Sequence, residues 1–96
     1  MAASDKNDMV SYWIADDKDV IIKIFAKKSE VRLQVFTSDF NLYSNILDSC
    51  NVVSDSGELL GTITNGRCRI PQEKITGMFC LSTPDGELIA LREIER

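Results

Sequence analysis

The stretch GTITNGRCRIP, residues 61–71, holds two short alternating runs of polar and apolar residues on either side of an Asn-Gly pair. A type I′ turn needs positive φ at both central residues, and Asn65 followed by Gly66 tolerates that conformation best. The sequence therefore predicts a tight β-hairpin with one buried face and one solvated face. The buried face would carry Ile63, Cys68 and Ile70. The solvated face would carry Thr62, Thr64, Arg67 and Arg69.

The same alternation, interrupted by turn residues, recurs along most of the chain. Three further hairpins are indicated, with turns at residues 29–30, 55–57 and 83–86. Seven or eight short strands joined in this way predict an all-β fold or a β-rich α+β fold. The expected architecture is a small antiparallel meander barrel or a two-layer sandwich, because both of these shield the sheet edges.

One segment departs from the alternation, because its apolar residues recur at spacings of three and four. These residues are Phe40, Tyr43, Leu47 and Cys50. The stripe predicts at most one short helix near residues 39–49, capped by Ser38 or Asp39. The Asn and Ser residues within it are indifferent helix formers, so a loop or a further strand stays open as an alternative.

Length and composition bound the domain organisation. The 96 residues are 44% hydrophobic and 27% charged, which is typical of one soluble globular domain with one core. The opening MAASDKND has no apolar periodicity and predicts a flexible tail at residues 1–8. We expect residues 9–96 to form a single β-rich domain.

The phrase VVSDSGELLGTI, residues 52–63, resembles the opening hairpin of PRC-barrel domains. These are small β-barrels found in RNA-processing factors and photosynthetic complexes. The resemblance covers only this hairpin in the middle of the chain, and too little sequence follows it for a full domain of that type. We therefore interpret it as shared hairpin chemistry rather than common ancestry.

The residue inventory excludes several kinds of activity. The chain has no histidine, so neither a Ser-His-Asp triad nor a histidine zinc site can form. It lacks the glycine motifs that bind phosphate, and its three cysteines, Cys50, Cys68 and Cys80, form no C-x-x-C pair. We expect no enzyme activity, no metal and no cofactor, and we expect the cysteines to act as small buried hydrophobes.

The hairpin over residues 20–37 offers the candidate binding surface. A two-residue loop at residues 29–30 would place Ile24 opposite Val35 on an aliphatic side. The other side would pair Lys27 with Arg32, Phe25 with Gln34, and Lys23 with Phe36. The predicted binding residues are Lys23, Phe25, Lys27, Arg32 and Phe36, with Arg67 and Arg69 as an extension. Aromatic side chains among cations can anchor a protein partner or stack nucleic-acid bases.

A second interpretation leaves this surface covered. The predicted helix would lie on the sheet and pack Phe40, Tyr43 and Leu47 against Phe25 and Phe36. A helix packed on a sheet is a common way to bury the second face of that sheet. The sequence does not favour either an exposed or a covered state of this surface.

The net charge of −4 opposes a polyanionic partner, because nucleic-acid affinity rests on phosphate neutralisation by Lys and Arg. We therefore predict a non-catalytic protein-protein interaction module, such as an adaptor, an assembly subunit or an inhibitor-like protein. Self-association through a sheet face or an edge strand belongs to the same class. The alternatives are single-stranded nucleic-acid binding through the basic and aromatic sheet face, and a β-barrel that binds a small ligand.

The hydropathy pattern bears on location. The longest aliphatic run is Val20-Ile21-Ile22, far shorter than the roughly 20 residues that a membrane span needs. An odd number of unpaired cysteines suits a reducing compartment. We expect no membrane partner and a cytoplasmic location.

Overall fold

The computed structural model describes residues 10–95, which contain eight β-strands in two antiparallel sheets. The first sheet contains Val10–Ala15 (β1), Val20–Lys27 (β2), Glu30–Thr37 (β3), Arg67–Pro71 (β6) and Arg92–Ile94 (β8). The second contains Asn51–Ser54 (β4), Leu59–Thr62 (β5) and Phe79–Ser82 (β7). Two short 3₁₀ turns cover Asp16–Lys18 and Gln72–Lys74. The predicted tail at residues 1–8 lies outside the described residues, as do Met9 and Arg96.

The predicted all-β, two-layer architecture is confirmed, and the barrel alternative is wrong. The five-stranded sheet has the order β6-β3-β2-β1-β8 and the three-stranded sheet the order β5-β4-β7. No ladder joins the two sheets, because β6 leaves β5 after the Asn-Gly turn and pairs with β3 instead. Both sheets therefore remain open, with β6 and β8 as the edges of one and β5 and β7 as the edges of the other.

One core lies between the sheets and is built from alternate residues of each strand. Its fully buried side chains are Val20, Ile22, Leu33, Val35, Leu47, Val52, Ile63, Ile70 and Leu81. Cys50 and Cys68 are buried among them as the sequence predicts, and burial raises the pKa of both thiols. Both cysteines act as small hydrophobes, whereas Cys80 is only half-buried.

The predicted Asn-Gly turn is confirmed, since φ is +54° at Asn65 and +74° at Gly66. The predicted burial is also confirmed, with the apolar side chains inside and the threonines and arginines outside. The predicted hairpin ladder is not confirmed, because only one bridge, Thr64 with Arg67, forms before the strands diverge into different sheets. Tertiary pairing explains the split, since β6 gains a ladder with five residues of β3.

Asp48 holds this turn from outside the hairpin. Its carboxylate accepts hydrogen bonds from the backbone N–H of Asn65, at 3.0 Å, and of Gly66, at 2.9 Å. The Gly66 carbonyl in turn accepts from the Val35 N–H at 2.7 Å. The turn that begins as local chemistry is therefore fixed to β3 and to the preceding loop.

The predicted register of the β2–β3 hairpin is wrong by two residues. The loop consists of Lys28 and Ser29 rather than Ser29 and Glu30, and Lys28 has φ of +59°. Val35 consequently lies opposite Ile22, where the prediction had Ile24, and the two branched aliphatic side chains meet in the core. A shift of two residues leaves every side chain on its predicted face, because the side-chain period of a strand is two.

The predicted helix near residues 39–49 does not form. Phe40 has φ of +66° and Ser49 has φ of +74°, and neither value is compatible with a right-handed helix. The segment instead folds back on β3, where Tyr43 bridges Phe36. Its apolar stripe is divided, with Leu47 in the core and Phe40 and Tyr43 on the outer side of the five-stranded sheet.

Three turns of the chain share one geometry. Each begins with a Ser or Thr whose carbonyl accepts from the N–H three residues on, at 2.7–3.0 Å: residues 37–40, 54–57 and 83–86. Each ends on a left-handed residue, which is Gly57 (φ +90°) or Gly86 (φ +96°) in the two predicted hairpins. In the first turn that position holds Phe40.

The last predicted hairpin is confirmed only near its turn. Ser82 bridges Leu88, and the Ile89 N–H donates to the Leu81 carbonyl at 2.9 Å. The chain then crosses to the other sheet, where β8 pairs with β1.

Candidate interaction face

The outer side of the five-stranded sheet, opposite the core, carries all five predicted binding residues. We call this surface the basic–aromatic face. The cross-strand register also places Arg67 and Arg69 of β6 and Arg92 of β8 on it. The predicted neighbours are wrong, however, because Lys27 faces Glu30 and Phe25 faces Arg32. The register therefore keeps the set of residues and changes their pairing.

Four aromatic side chains cluster at one end of this face. The rings of Phe36 and Tyr43 stack with centroids 4.9 Å apart and an interplanar angle of 23°. Phe40 meets Phe36 edge to face at 4.7 Å and Tyr12 edge to face at 5.6 Å. Offset stacks and T-shaped pairs are the favoured aromatic geometries, so the cluster is a fixed arrangement.

Cations cover two of the aromatic rings. The Arg67 guanidinium lies over the Tyr43 ring, 4.3 Å from its centroid. The Lys23 ammonium lies 5.1 Å from the Phe25 ring centroid. Both distances are within the range of a cation–π interaction. Tyr43 thus contacts both the Phe36 ring and the Arg67 guanidinium.

The alternative in which residues 39–49 cover the face is true only in part. Phe40 and Tyr43 pack on Phe36, but they do so from a loop rather than from a helix. Leu47 points into the core, where its side chain is 1% exposed. Phe25 is half-buried and lies between Val10 and Arg32 on the neighbouring strands. The segment completes one end of the basic–aromatic face and leaves the other end to the strands.

Six of the cations in the described residues lie on this face: Lys23, Lys27, Arg32, Arg67, Arg69 and Arg92. Arg32 pairs with Glu30 at 3.1 Å, and Arg92 pairs with Asp16 at 3.0 Å. Within residues 10–95, no carboxylate oxygen lies within 4.0 Å of the charged nitrogens of the other four. These four cations are available to an anionic partner.

Arg32 and Arg69 lie directly opposite each other on β3 and β6. Like charges in this position destabilise a sheet, by roughly the 0.2–1 kcal/mol that a favourable pair contributes. Glu30 offsets part of this repulsion through its bond to Arg32. The placement of Arg69 opposite Arg32 therefore has no explanation in the stability of the sheet.

The ion pair at the rim has the expected effect on its two groups. The hydrogen bond from Arg92 lowers the pKa of the Asp16 carboxyl, and the same bond raises the pKa of Arg92. The pair joins the turn after β1 to the edge strand β8 through two hydrogen bonds, at 3.0 and 3.2 Å. Both side chains are more than half exposed, so solvent screens the interaction.

The three-stranded sheet has the opposite charge. Residues 51–62 and 79–88, which contain its strands and their turns, include Asp55, Glu58, Asp85 and Glu87 and no Lys or Arg. Its side chains also include two exposed leucines, Leu59 (57%) and Leu88 (66%). Charge is thus segregated between the two sheets, although the net charge of the chain is only −4.

The predicted binding residues did not include four members of the face, namely Tyr12, Phe40, Tyr43 and Arg92. Phe40 and Tyr43 were expected on this face only as parts of a covering helix. A signal for Phe40 did exist, because Thr37-Ser38-Asp39 repeats the Thr-x-Asp pattern of the turn at Thr83-Pro84-Asp85. In both turns the Thr hydroxyl donates to the Asp carboxylate, which lowers the pKa of that carboxyl. The pattern indicates a turn where the apolar spacing suggested a helix.

Metal-binding clusters and membrane-spanning helices are both absent from the described part of the chain. Among residues 10–95, no group of three or more His, Cys, Asp or Glu side chains could hold a metal ion. No helix within that range is long and apolar enough to cross a membrane. Comparison with protein-family models, curated proteins and solved structures finds no match for the chain.

Proposed function

We propose that this protein is a non-catalytic protein-interaction module that docks its basic–aromatic face onto an acidic surface of another protein. The observation that carries the proposal is the contact of Tyr43 with both Phe36 and Arg67, on a face where, within residues 10–95, Lys23, Lys27 and Arg69 have no carboxylate partner. Aromatic residues and arginine are the types that dominate the energetically important centres of protein interfaces. An adaptor, an assembly subunit or an inhibitor would use such a face in the same way.

The cluster is ordered before any partner arrives. Phe40 and Tyr43 both already contact Phe36 in favourable geometries, so docking would cost little side-chain entropy. The cations around them supply complementarity for carboxylates, and arginine suits this role because its guanidinium can bind a carboxylate through two hydrogen bonds. Pre-ordered rings with free cations therefore favour a folded, acidic protein surface as the partner.

Single-stranded nucleic acid is the second candidate, favoured by the four cations without partners and by the Arg32–Arg69 juxtaposition. Base stacking, however, requires an aromatic ring with an open face. The Tyr43 ring is stacked on Phe36 and also contacts the Arg67 guanidinium, and the Lys23 ammonium lies over the Phe25 ring. A base would have to displace these contacts, which makes the protein partner the better candidate.

The test compares two variants with the same change in charge. Arg67→Glu/Arg69→Glu reverses two cations on the face, and Lys18→Glu/Lys74→Glu reverses two cations away from it. Each variant and the wild type are cross-linked in an extract of the protein's own cells, and bound proteins are quantified by mass spectrometry. We expect a stoichiometric partner with the wild type and the control variant, and its loss with the face variant. Equal recovery by both variants would rule out the face.

Two further measurements separate the alternatives. Anisotropy titration with labelled single-stranded DNA and RNA at low salt should show no binding by the wild type; binding that the face variant abolishes would replace the protein partner by nucleic acid. Sedimentation of the purified protein tells whether the partner is a second copy of the same chain. For the cellular site we propose the cytoplasm, because the described cysteines are all free thiols, as in a reducing compartment.

A further inference from the structure

A cleft of about 370 Å³ opens between the two sheets, on the core side of β1 and β2. We call it the interlayer cleft. Its walls are Trp13 and Ile24 from the large sheet and Phe79, Cys80, Ile89 and Leu91 from the opposite layer, with Ser11, Gly77 and Met78 completing the lining. Trp13 and Ile24 point away from the basic–aromatic face, so the two surfaces are separate.

The cleft exists because the three-stranded sheet is too small to cover the whole inner side of the five-stranded sheet. The smaller sheet buries the centre of the larger one, where Ile22, Leu33 and Val35 are at most 1% exposed. Beside this centre, Trp13 (opposite Ile22) and Ile24 (opposite Leu33) are only partly buried. The chain that faces them includes irregular residues on both sides of β7, such as Gly77 and Leu91. Met78 lies in the lining of this cleft with 71% of its surface exposed.

The walls present almost no polar group that lacks a partner. The indole N–H of Trp13 donates to the Ser11 hydroxyl oxygen at 3.0 Å. Within the described residues, every buried side-chain nitrogen or oxygen has a hydrogen-bond partner. A charged ligand would therefore lose its hydration without compensation, whereas an apolar ligand would bury surface on both sides.

We propose that the interlayer cleft binds a neutral, mainly apolar small molecule. The volume lies within the range of small-molecule sites, which are likewise lined mainly by hydrophobic and aromatic side chains. At roughly 30 Å³ for each water-sized group, it accommodates about a dozen non-hydrogen atoms. This function is separate from the docking of a protein on the basic–aromatic face and does not depend on it.

A carboxylate near the cleft adds selectivity against anions. Ser11 and Ile24 also line an adjoining depression, whose other walls include Gln72 and Glu93. Glu93 lies directly opposite Trp13 on the neighbouring strand. Glu93 does not line the interlayer cleft itself, but its charge beside the cleft would repel an anionic ligand in addition to the loss of hydration. A neutral compound should therefore bind in preference to an anion of the same size.

The experiment is a titration of the ¹⁵N-labelled protein with 1-naphthol, followed by NMR. Because the chain has one tryptophan, the indole N–H of Trp13 gives a single cross-peak that reports on the cleft. We expect a saturable shift of this cross-peak and of amides around the cleft, and at least tenfold weaker binding of 1-naphthalenesulfonate. No saturable shift at millimolar 1-naphthol, or equal binding of the sulfonate, would overturn the proposal.

Variants locate the site. Cys80→Phe fills the cleft and should abolish saturable binding, and Met78→Ala removes a wall contact and should weaken it about tenfold, equivalent to about 1.4 kcal/mol. Leu59→Ala, which truncates a similarly exposed side chain outside the cleft, should leave binding unchanged. If Cys80→Phe does not fold, the affinities of Met78→Ala and Leu59→Ala for 1-naphthol decide the question. Equal effects of these two substitutions would mean that 1-naphthol binds outside the cleft. Arg67→Glu/Arg69→Glu should bind 1-naphthol normally, so failure of the protein-docking function and failure of this one are distinguishable.

Discussion

Phe40 occupies a backbone position that glycine holds in two other turns of this chain. Its φ of +66° is rare for a bulky aromatic residue and costs free energy that glycine would not. The conformation places the ring between Tyr12 and Phe36 on the basic–aromatic face. Strain of this kind concentrates where a side chain has a task, and here it supports the assignment of the face as the functional surface.

Two substitutions at this position separate strain from ring contacts. Phe40→Ala and Phe40→Gly both remove the ring, but only alanine keeps a Cβ in the left-handed conformation. We expect Phe40→Gly to be the more stable variant by about 1 kcal/mol. Urea unfolding followed by tryptophan fluorescence measures the difference, and equal stability of the two variants would show that the turn relaxes when the ring is lost.

A comparison of Gly66, in the Asn-Gly turn, with Gly57, in another turn, separates the cost of positive φ from the cost of steric crowding. Both have positive φ, but the space around them differs. A Cβ at Gly66 would lie 2.7 Å from the Ser44 carbonyl oxygen, whereas a Cβ at Gly57 would have no neighbouring atom within 4 Å. Gly57→Ala should cost about 1 kcal/mol from the backbone conformation alone. Gly66→Ala should cost about 1–3 kcal/mol more, because backbone atoms must move. Calorimetric or urea unfolding of both variants checks the ranking, and a cost at Gly66 no larger than at Gly57 would contradict it.

At the scale of elements, β6 contributes two arginines to the basic–aromatic face, and one of them is unfavourable for the stability of the sheet. Arg69 faces Arg32, whereas Arg67 faces Gln34 and covers the Tyr43 ring. The two arginines share a strand and a side of the sheet, yet their effects on stability should have opposite signs. Removing Arg69 relieves a repulsion, and removing Arg67 loses a cation–π contact.

Replacement of each arginine by threonine, a good strand former, tests this contrast. Arg69→Thr should raise the free energy of unfolding by about 0.5 kcal/mol, and Arg67→Thr should lower it by about 0.5–1 kcal/mol. Both should weaken partner capture. Equilibrium urea unfolding gives the two signs, and destabilisation by both variants would mean that the Arg32–Arg69 repulsion is negligible.

The elements also show what a sequence can and cannot reveal. The Asn65-Gly66 turn and the faces of β2 and β3 follow from local conformational preference and from a side-chain period of two, so both were predictable. The ladder between β6 and β3 depends on contacts between distant residues, which no local pattern records. The apolar stripe at residues 40–50 misled because its members serve two different surfaces. Apart from its extension to β6, the predicted site therefore contained residues of β2 and β3 only. Tyr12 and Tyr43 reach the site from another strand and from a loop, through contacts that no local pattern records.

At the scale of the whole molecule, three exposed carboxyls within residues 10–95 have lowered pKa values: Asp16, through the hydrogen bond from Arg92, and Asp39 and Asp85, through hydrogen bonds from Thr37 and Thr83. A carboxyl with a folded pKa below its ordinary value of 3.8 stabilises the native state when ionised. That stability is fully present above about pH 4–5 and is lost as the pH falls through the lower folded values.

Replacement of all three carboxylates by asparagine should therefore flatten the acid limb of the stability curve. The triple variant Asp16→Asn/Asp39→Asn/Asp85→Asn should be less stable than the wild type at neutral pH, and the difference should shrink toward zero at about pH 2. Urea unfolding at a series of pH values measures both curves. Two parallel curves would show that these ionisations do not contribute to stability.

Because the two sheets carry opposite charge, the molecule has a permanent electric dipole that runs across its two layers. An acidic surface that approaches in dilute salt turns the protein toward itself before any side chains touch, so a larger fraction of collisions is productive. Raising the ionic strength from about 0.01 M to 0.15 M shortens the Debye length from about 30 Å to about 8 Å and removes most of this orientation. The association rate constant should therefore fall steeply with salt, while the dissociation rate constant, governed by contact with the stacked rings, should change little.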